Sequence, residues 1–349
     1  MTIKSYLRDY DVSFEKTIDV SPYADKNSFF VVDNNVFRLY ESAFSQIDKK
    51  ALFVFDAAEH NKNLDSAMEI CRRITGISAK KNALLISAGG GITQDVTGFV
   101  AHILYRGIRW VYFPTTLLAA CDSCIGSKTS LNFEGHKNLL GTFYPPEKII
   151  IVPDCFKTLS RYDVASGLGE IVKFNIMRGE KAIGALEKDL PKLIALDEKT
   201  VKNYINNSLA FKKEYIEADE FDKKERVMLN FAHTFGHAIE TASGYKIPHG
   251  TAVAMGITGA NFISYKKGML GLSLHNRIIE LVKNIVAVDT GCINLNDIIK
   301  AVKNDKKQIS DKIRVILLDN DFNLSINYIS ENELFEAFNF IKEAFTRRS

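Results

Sequence analysis

Five short apolar runs constrain the fold of this chain most: 28–33 (SFFVVD), 51–56 (ALFVFD), 83–88 (ALLISA), 109–113 (RWVYF) and 148–152 (KIIIV). Each is too short for a buried helix, rich in β-branched or aromatic residues, and bounded by polar or turn residues, so each reads as a buried strand. Helical periodicity fills intervals at 64–75 and 94–105. Strands alternating with helices form a mostly parallel sheet with helices on its faces. From about Asp163 the period changes. Helices are expected at 163–177, 182–190, 200–218, 224–241, 251–267, 277–286 and 332–345, interrupted by one short strand-like piece at 314–318. No Gly/Pro-rich linker and no internal repeat marks the change. The expected class is α/β plus α: a Rossmann-like domain over 1–158, then a mainly helical domain over 159–349.

The third run leads into Gly89-Gly90-Gly91, ahead of a helix with Asp95 near its start. Glycine there lets backbone N–H groups approach a phosphate at a helix N-terminus. The spacing is not G-x-G-x-x-G, and a tight turn that binds nothing would look the same. Glu59 and Lys62 follow the second run, where a carboxylate can accept from ribose hydroxyls. Alone they would be an ordinary solvated pair. After the fourth run, Pro114-Thr115-Thr116 opens a polar segment with Asp122, Lys128, Asn132, Lys137 and Asn138. Those side chains suit phosphate and hydroxyl groups, and the segment is long for a simple crossover.

In the helical half, 226–250 (RVMLNFAHTFGHAIETASGYKIPHG) holds three of the seven histidines. His233 and His237 share one face of an expected helix, with Arg226 and Asn230 further back along it. His249 follows a turn around Gly244 and Pro248. Imidazoles beside an Arg and an Asn are costly to desolvate unless they bind something, which suggests a divalent metal next to an anion. H-x-x-x-H alone is weak evidence, and Thr234 stands where a zinc protease carries Glu. Glu170 and Lys173 lie on one half-buried helix face. They read either as an ion pair worth little or as a carboxylate ligand for the metal that His233 and His249 need.

Bulk properties exclude several classes. A net charge of +3 with no Lys/Arg cluster argues against a nucleic-acid partner. No apolar run can span a bilayer, and MTIKSYLRDY lacks the apolar core of a signal peptide. The five cysteines, Cys71, Cys121, Cys124, Cys155 and Cys292, are scattered and odd in number, which fits a reducing cytoplasm. Cys121 and Cys124 form a CxxC with no second pair to complete a tetrahedral site.

Taken together, GGGITQDVTGF, YRGIRWVYFPTTLLAACDSCIGSKTSLN, HKNLLGTFYPP, GLGEIVK, LNFAHTFGHAIE and PHG resemble the 3-dehydroquinate synthase family of sugar phosphate cyclases. The similarity runs almost continuously from about Leu84 to Gly256. It implies an NAD-binding α/β domain, a helical metal-binding domain and an active site in the cleft between them. By motif match, Glu170, His233 and His249 would ligate Zn²⁺ or Co²⁺. Asp33, Glu59, Lys62, Gly89, Gly90, Gly91, Asp95, Thr115, Thr116, Lys137 and Thr158 would contact NAD. Lys128, Asn138, Asn230 and one of Lys306 or Lys307 would hold the phosphate end of a sugar phosphate substrate. Asp122, Lys173, His237, Lys212 and Arg226 would surround the reacting carbons and the substrate carboxylate. Arg106, in YRG, would reach the phosphate site of a second copy, which implies a homodimer.

The chain departs from the family pattern at Ser127 and His136, where glycine is usual, at Thr251, where Glu is usual, and at Thr93-Gln94, where small residues are usual. Cyclases acting on carboxylate-free sugar phosphates typically lose the Lys/Arg pair. Lys212 and Arg226 are both present here, which favours a carboxylate-bearing C7 substrate. The alternatives are a paralogous cyclase, a metal-dependent polyol dehydrogenase, which needs no phosphate cage, and a nucleotide-binding regulator with a vestigial site.

Overall fold

A computed structural model describes residues 1–77, 80–286 and 312–346. The chain divides into two compact units: Met1–Thr158 with Ile216–Phe221, and Leu159–Tyr215 with Asp222–Ser349.

The first unit is built on a seven-stranded sheet. Its strands are β1 (Thr2–Ile3), β2 (Tyr10–Phe14), β3 (Ser28–Asp33), β4 (Leu52–Phe55), β5 (Leu84–Gly89), β6 (Arg109–Pro114) and β9 (Lys148–Ile151), in the order β1-β2-β9-β6-β5-β3-β4. Only the β1–β2 pair is antiparallel. Phe29 to Val32 of β3 and Trp110 to Phe113 of β6 are buried, because helices and loops cover both sheet faces. Each such side chain contributes about 1.5–3 kcal/mol by leaving water. Register sets Val32, Val54, Ala88 and Phe113 in one row. The residues just beyond, Asp33, Phe55, Gly89 and Pro114, therefore share the carboxyl edge. The chain also reverses its direction of travel about β3, which lies between β4 and β5. Open α/β sheets bind ligands at such a switch point.

Helices α1 (Asn34–Leu39), α2 (Leu64–Gly76) and α3 (Gly91–Ile103) complete this unit with a hairpin of β7 (Lys128–Phe133) and β8 (His136–Phe143). The polar segment read as a long crossover thus contains a π-helical turn, Ala119–Ser123, and this hairpin. Thr129 and Leu131 of β7 point inward, and Glu134 and Gly135 make a tight turn at φ 49° and 74°. The alternation rests on two inward residues among polar ones, which hid it from a search for apolar runs. β1, β2 and α1 were likewise not expected. α3 starts at Gly91 rather than Gln94 and stops at Ile103, before a sharp turn in which Tyr105, Arg106 and Gly107 all have positive φ.

The second unit contains α4 (Arg161–Met177), α5 (Glu180–Ile194), α6 (Glu198–Ala218), α7 (His233–Ala242), α8 (His249–Lys266), α9 (Leu272–Lys283), a hairpin of β10 (Ile313–Leu318) and β11 (Leu324–Ile329), and α10 (Glu331–Phe345). Ile216–Phe221, the end of α6 and the residues just after it, group with the first unit. There Glu217 accepts from Lys4 N at 2.7 Å, and Glu220 accepts from Ser5 Oγ and Tyr6 N at 2.6 Å each. α4 and α8 are buried almost all round, as helices at the centre of a unit must be. They meet backbone to backbone. A Cβ on Gly169 would strike the Gly250 carbonyl, and one on Gly250 would strike the Ser166 carbonyl. α7 closes on α8 in the same way through Gly236 and Gly256.

One expected helix is wrong. The stretch 224–241 is not continuous: a 3₁₀ turn, Glu225–Asn230, is followed by Ala232 in the left-handed region at φ 68°, and α7 begins only at His233. Arg226 and Asn230 therefore do not lie on the helix face of His233 and His237. Phe231, fully buried, sits at the break, and its carbonyl is released from the helical ladder for another use. α9 also begins earlier than expected, at Leu272. Among the described residues, no helix is long and apolar enough to cross a membrane.

Candidate active site

Two groups of side chains carry chemistry, one in each unit. In the first unit, β5 passes into α3 through the glycine turn. Gly90 is the N-cap of α3 and offers no side chain to the first N–H groups, which leaves them for an outside acceptor. A Cβ on Gly89 would collide with Thr93, and one on Gly90 would lie 3.0 Å from Thr116 Cγ2. Tyr112 Oη lies 3.1 and 3.2 Å from the Gly89 and Gly90 carbonyls, to which it donates. Burial pushes this phenol well above its ordinary range, so it stays protonated and holds the turn. Thr115 N donates to Gly89 O at 3.0 Å, and Thr116 Oγ1 accepts from Ala119 N at 3.2 Å.

Beside this turn, five of the expected residues meet in one polar network. Lys62 Nζ lies 2.5 Å from Asp95 Oδ2 and donates to Asn138 Oδ1 at 2.6 Å. Ser130 Oγ is 3.2 Å from the same Asp95 oxygen and 2.8 Å from the same Asn138 oxygen. Asn132 Nδ2 donates to Glu59 Oε1 at 2.8 Å, with Lys137 Nζ 3.3 Å from that oxygen. Burial raises the Asp95 carboxyl, against the Lys62 ammonium that lowers it. Asn138, expected at the phosphate end of the substrate, thus keeps company with residues expected on NAD. Asp33 caps α1 by accepting from Asn35 N at 2.7 Å, and burial raises its carboxyl. Thr158 donates to Cys155 O at 2.9 Å at the end of this unit. Asp122 lies on the π turn, Lys128 opens β7 with its side chain exposed, and Arg106 is exposed at φ 65°.

In the second unit, Glu170 of α4, His233 of α7 and His249 of α8 converge. Both histidine Nε2 atoms face Glu170 Oε1, at 3.7 and 3.8 Å. His233 Nδ1 lies 3.0 Å from the Phe231 carbonyl, the one freed by the helix break. A carbonyl only accepts, so Nδ1 carries the proton and Nε2 carries a lone pair. Burial, with the Lys173 ammonium nearby, pushes His233 well below the ordinary imidazole range and keeps it neutral. His249 Nδ1 lies 3.1 Å from Glu240 Oε2 and has the same tautomer by the same logic. Glu170 is fully buried, and its Oε1 has no hydrogen-bond donor. Three electron pairs therefore face one another with no proton between them, which a divalent cation satisfies and a purely structural cluster does not.

His237 stands at the edge of this group, its ring 5.3 Å from His233 and 5.6 Å from His249. The three imidazoles alone also offer donor atoms within 4.8 Å of one another. The set with Glu170 is the better one, because three neutral imidazoles would leave a buried carboxylate oxygen uncompensated. Lys173 Nζ lies 2.5 Å from Glu170 Oε2 and donates to Leu229 O at 3.1 Å. It thereby ties the cluster to the 3₁₀ turn that carries Arg226 and Asn230. Lys212 and Arg226 are 8% and 3% exposed, an unusual fate for long cations. Asn230 Nδ2 donates to Val227 O at 3.0 Å. Lys306, Lys307 and Cys292 lie outside the described residues.

Sequence reasoning missed four contributors. Tyr112 sat in a run read only as strand. Gln94 and Ser123 exchange hydrogen bonds, Gln94 Nε2 to Ser123 O and Ser123 Oγ to Gln94 Oε1, both 2.8 Å, and so fasten α3 to the turn bearing Asp122. Glu240 had a legible signal: it recurs on the helix face of His233 and His237.

Known proteins resemble this chain in sequence and in fold. The family described as 3-dehydroquinate synthase N-terminal matches residues 52–166, and 3-dehydroquinate synthase C-terminal matches 167–308. The 3-dehydroquinate synthase of Dictyoglomus thermophilum is 35% identical over 291 residues, covering 83% of this chain and 82% of its own. Among solved structures, 2-deoxy-scyllo-inosose synthase complexed with carbaglucose-6-phosphate, NAD⁺ and Co²⁺ superposes with a TM-score of 0.87 at 22% identity, over 98% of this chain and 99% of that one. The 2-epi-5-epi-valiolone synthase of Streptomyces hygroscopicus, with NAD⁺ and Zn²⁺ bound, gives 0.85 at 22% identity, over 96% and 97%. The solved structures share the fold; the sequence matches go further, and by them the protein belongs to the 3-dehydroquinate synthase family.

Proposed function

We propose that this protein converts 3-deoxy-D-arabino-heptulosonate 7-phosphate to 3-dehydroquinate and phosphate, through transient oxidation, phosphate elimination, re-reduction and intramolecular aldol closure. The observation that carries the reading is the donor triangle of Glu170, His233 and His249, tied through Lys173 to the turn bearing a buried Arg226. A divalent ion held by that triangle would acidify a secondary alcohol and polarise a ketone, and a nicotinamide would take and return the hydride.

The chain's own residues supply binding and orientation. Lys212 and Arg226 bind the substrate carboxylate, Arg226 by a planar two-point contact. Lys128, Asn138, Asn230 and Lys306 or Lys307 take the phosphate end. Asp122, Lys173 and His237 surround the reacting carbons. With Lys173 held at Glu170, His237, beside the donor triangle, carries protons there. Glu59, Lys62, Gly89, Gly90, Gly91, Asp95, Thr115, Thr116 and Lys137 receive NAD at the carboxyl edge of the sheet, Asp33 and Thr158 with them. Arg106 serves a second copy in a homodimer in the cytoplasm.

The test is incubation with NAD, Zn²⁺ or Co²⁺, and candidate sugar phosphates, reading phosphate release and net NADH. Phosphate without net NADH is the expected result. Net NADH would mean a polyol dehydrogenase. Phosphate only from a carboxylate-free sugar would mean a paralogous cyclase.

A further inference from the structure

We propose that Glu240 is a positioning residue that locks His249 as a metal donor. The proposal rests on the metal reading of the cluster and concerns a residue to which the family match gave no role. The three members of the triangle are held very differently. Glu170 is fully buried on α4, and His233 is fixed by the Phe231 carbonyl within its own backbone turn. His249 is less enclosed. It is the first residue of α8, follows Pro248, and its side chain is 31% exposed, against 12% for His233. A ring at a helix start, partly in water, can flip and exchange tautomers unless something claims one nitrogen.

Glu240 does so. It comes from α7, its side chain is only 11% exposed, and its Oε2 lies 3.1 Å from His249 Nδ1. An ionised carboxylate only accepts, so the proton stays on Nδ1 and Nε2 keeps its lone pair toward Glu170 Oε1. The carboxylate also makes the imidazole a stronger donor. α7 therefore contributes twice to the centre, once by the donor His233 and once by the acceptor that aims His249.

The experiment uses the full chain and has two readouts besides activity. In metal-free protein carrying ¹⁵N-labelled histidine, His249 should show the Nδ1–H tautomer, and Glu240→Ala should shift it to Nε2–H or a mixture. Against a competing chelator, Zn²⁺ should bind Glu240→Ala roughly 10–100-fold more weakly than wild type. Glu240→Gln keeps an acceptor oxygen and should fall between, with the metal-free melting temperature of wild type. Should the Ala variant not fold, the Gln variant decides alone, a loss of at least about threefold being the expected result. An unchanged tautomer in Glu240→Ala overturns the proposal even if affinity falls, since Glu240 would then act by charge alone. Unchanged affinity overturns it too. Wild type that binds neither Zn²⁺ nor Co²⁺ overturns the metal reading and the proposal's metal part with it. The tautomer spectrum then still decides whether Glu240 sets the ring.

Discussion

Glu170 is the residue on which the second unit's chemistry turns, because it faces two lone pairs on one side and an ammonium on the other. Glu170→Gln removes the charge that both need. Stoichiometric Zn²⁺ should be lost, as read by metal analysis after dialysis. Lys173, buried at 2.5 Å from the missing charge, should make the metal-free variant less stable by about 3–5 kcal/mol in urea unfolding. Arg226→Met should cost on the order of 2–4 kcal/mol in kcat/KM for the carboxylate-bearing C7 substrate. It should cost far less for a C7 sugar phosphate lacking the carboxylate. A wild type that already prefers the latter would refute the assignment. The histidine spacing was legible because i,i+4 is a local rule. Tyr112 and Gln94 were not, because their partners, the glycine carbonyls and Ser123, come from other elements and only folding reveals them.

At the scale of elements, close approach of backbones positions the donors. Gly250→Ala places a methyl group against the Ser166 carbonyl, where neither backbone can yield. A destabilisation of about 1–3 kcal/mol or more is expected, with weaker Zn²⁺ binding because α4 and α8 move apart. Gly244→Ala is the control for packing: its Cβ would meet nothing within 4 Å, although φ 59° adds backbone strain. A Gly250→Ala protein as stable as wild type would refute the crossing as drawn. Strands buried on both faces announced themselves as unbroken apolar runs, which is why β3 falls at 28–33 as read. The β7–β8 hairpin did not, having one inward face of two residues. The break before α7 was equally silent, since Phe231 and Ala232 carry no Gly or Pro, and the cost of Ala232 at φ 68° is borne by the site it builds.

For the molecule as a whole, the neutral histidine at the centre links stability to pH. The folded-state pKa of His233 lies well below its unfolded value of about 6.5. Between those two values the unfolded chain binds the extra proton, so stability must fall as pH drops below about 6.5. One such group accounts for up to about 1.4 kcal/mol per pH unit in that window. Urea midpoints of metal-free protein between pH 7 and 5 should show this slope, and His233→Gln should flatten it. The change from alternating to helical period was visible in the sequence, but the return of Ile216–Phe221 to the first unit was not. There Glu217 and Glu220 meet the chain's first residues, and Phe221 packs on Tyr6 and Phe143, contacts no local pattern encodes. Because α4 and α8 touch through Gly169 and Gly250, a growing chain cannot hold the full donor set until α8 has left the ribosome. Nascent chains stalled before His249 should retain no stoichiometric Zn²⁺. Capture of an ion would therefore wait for the last elements of the helical unit to be made.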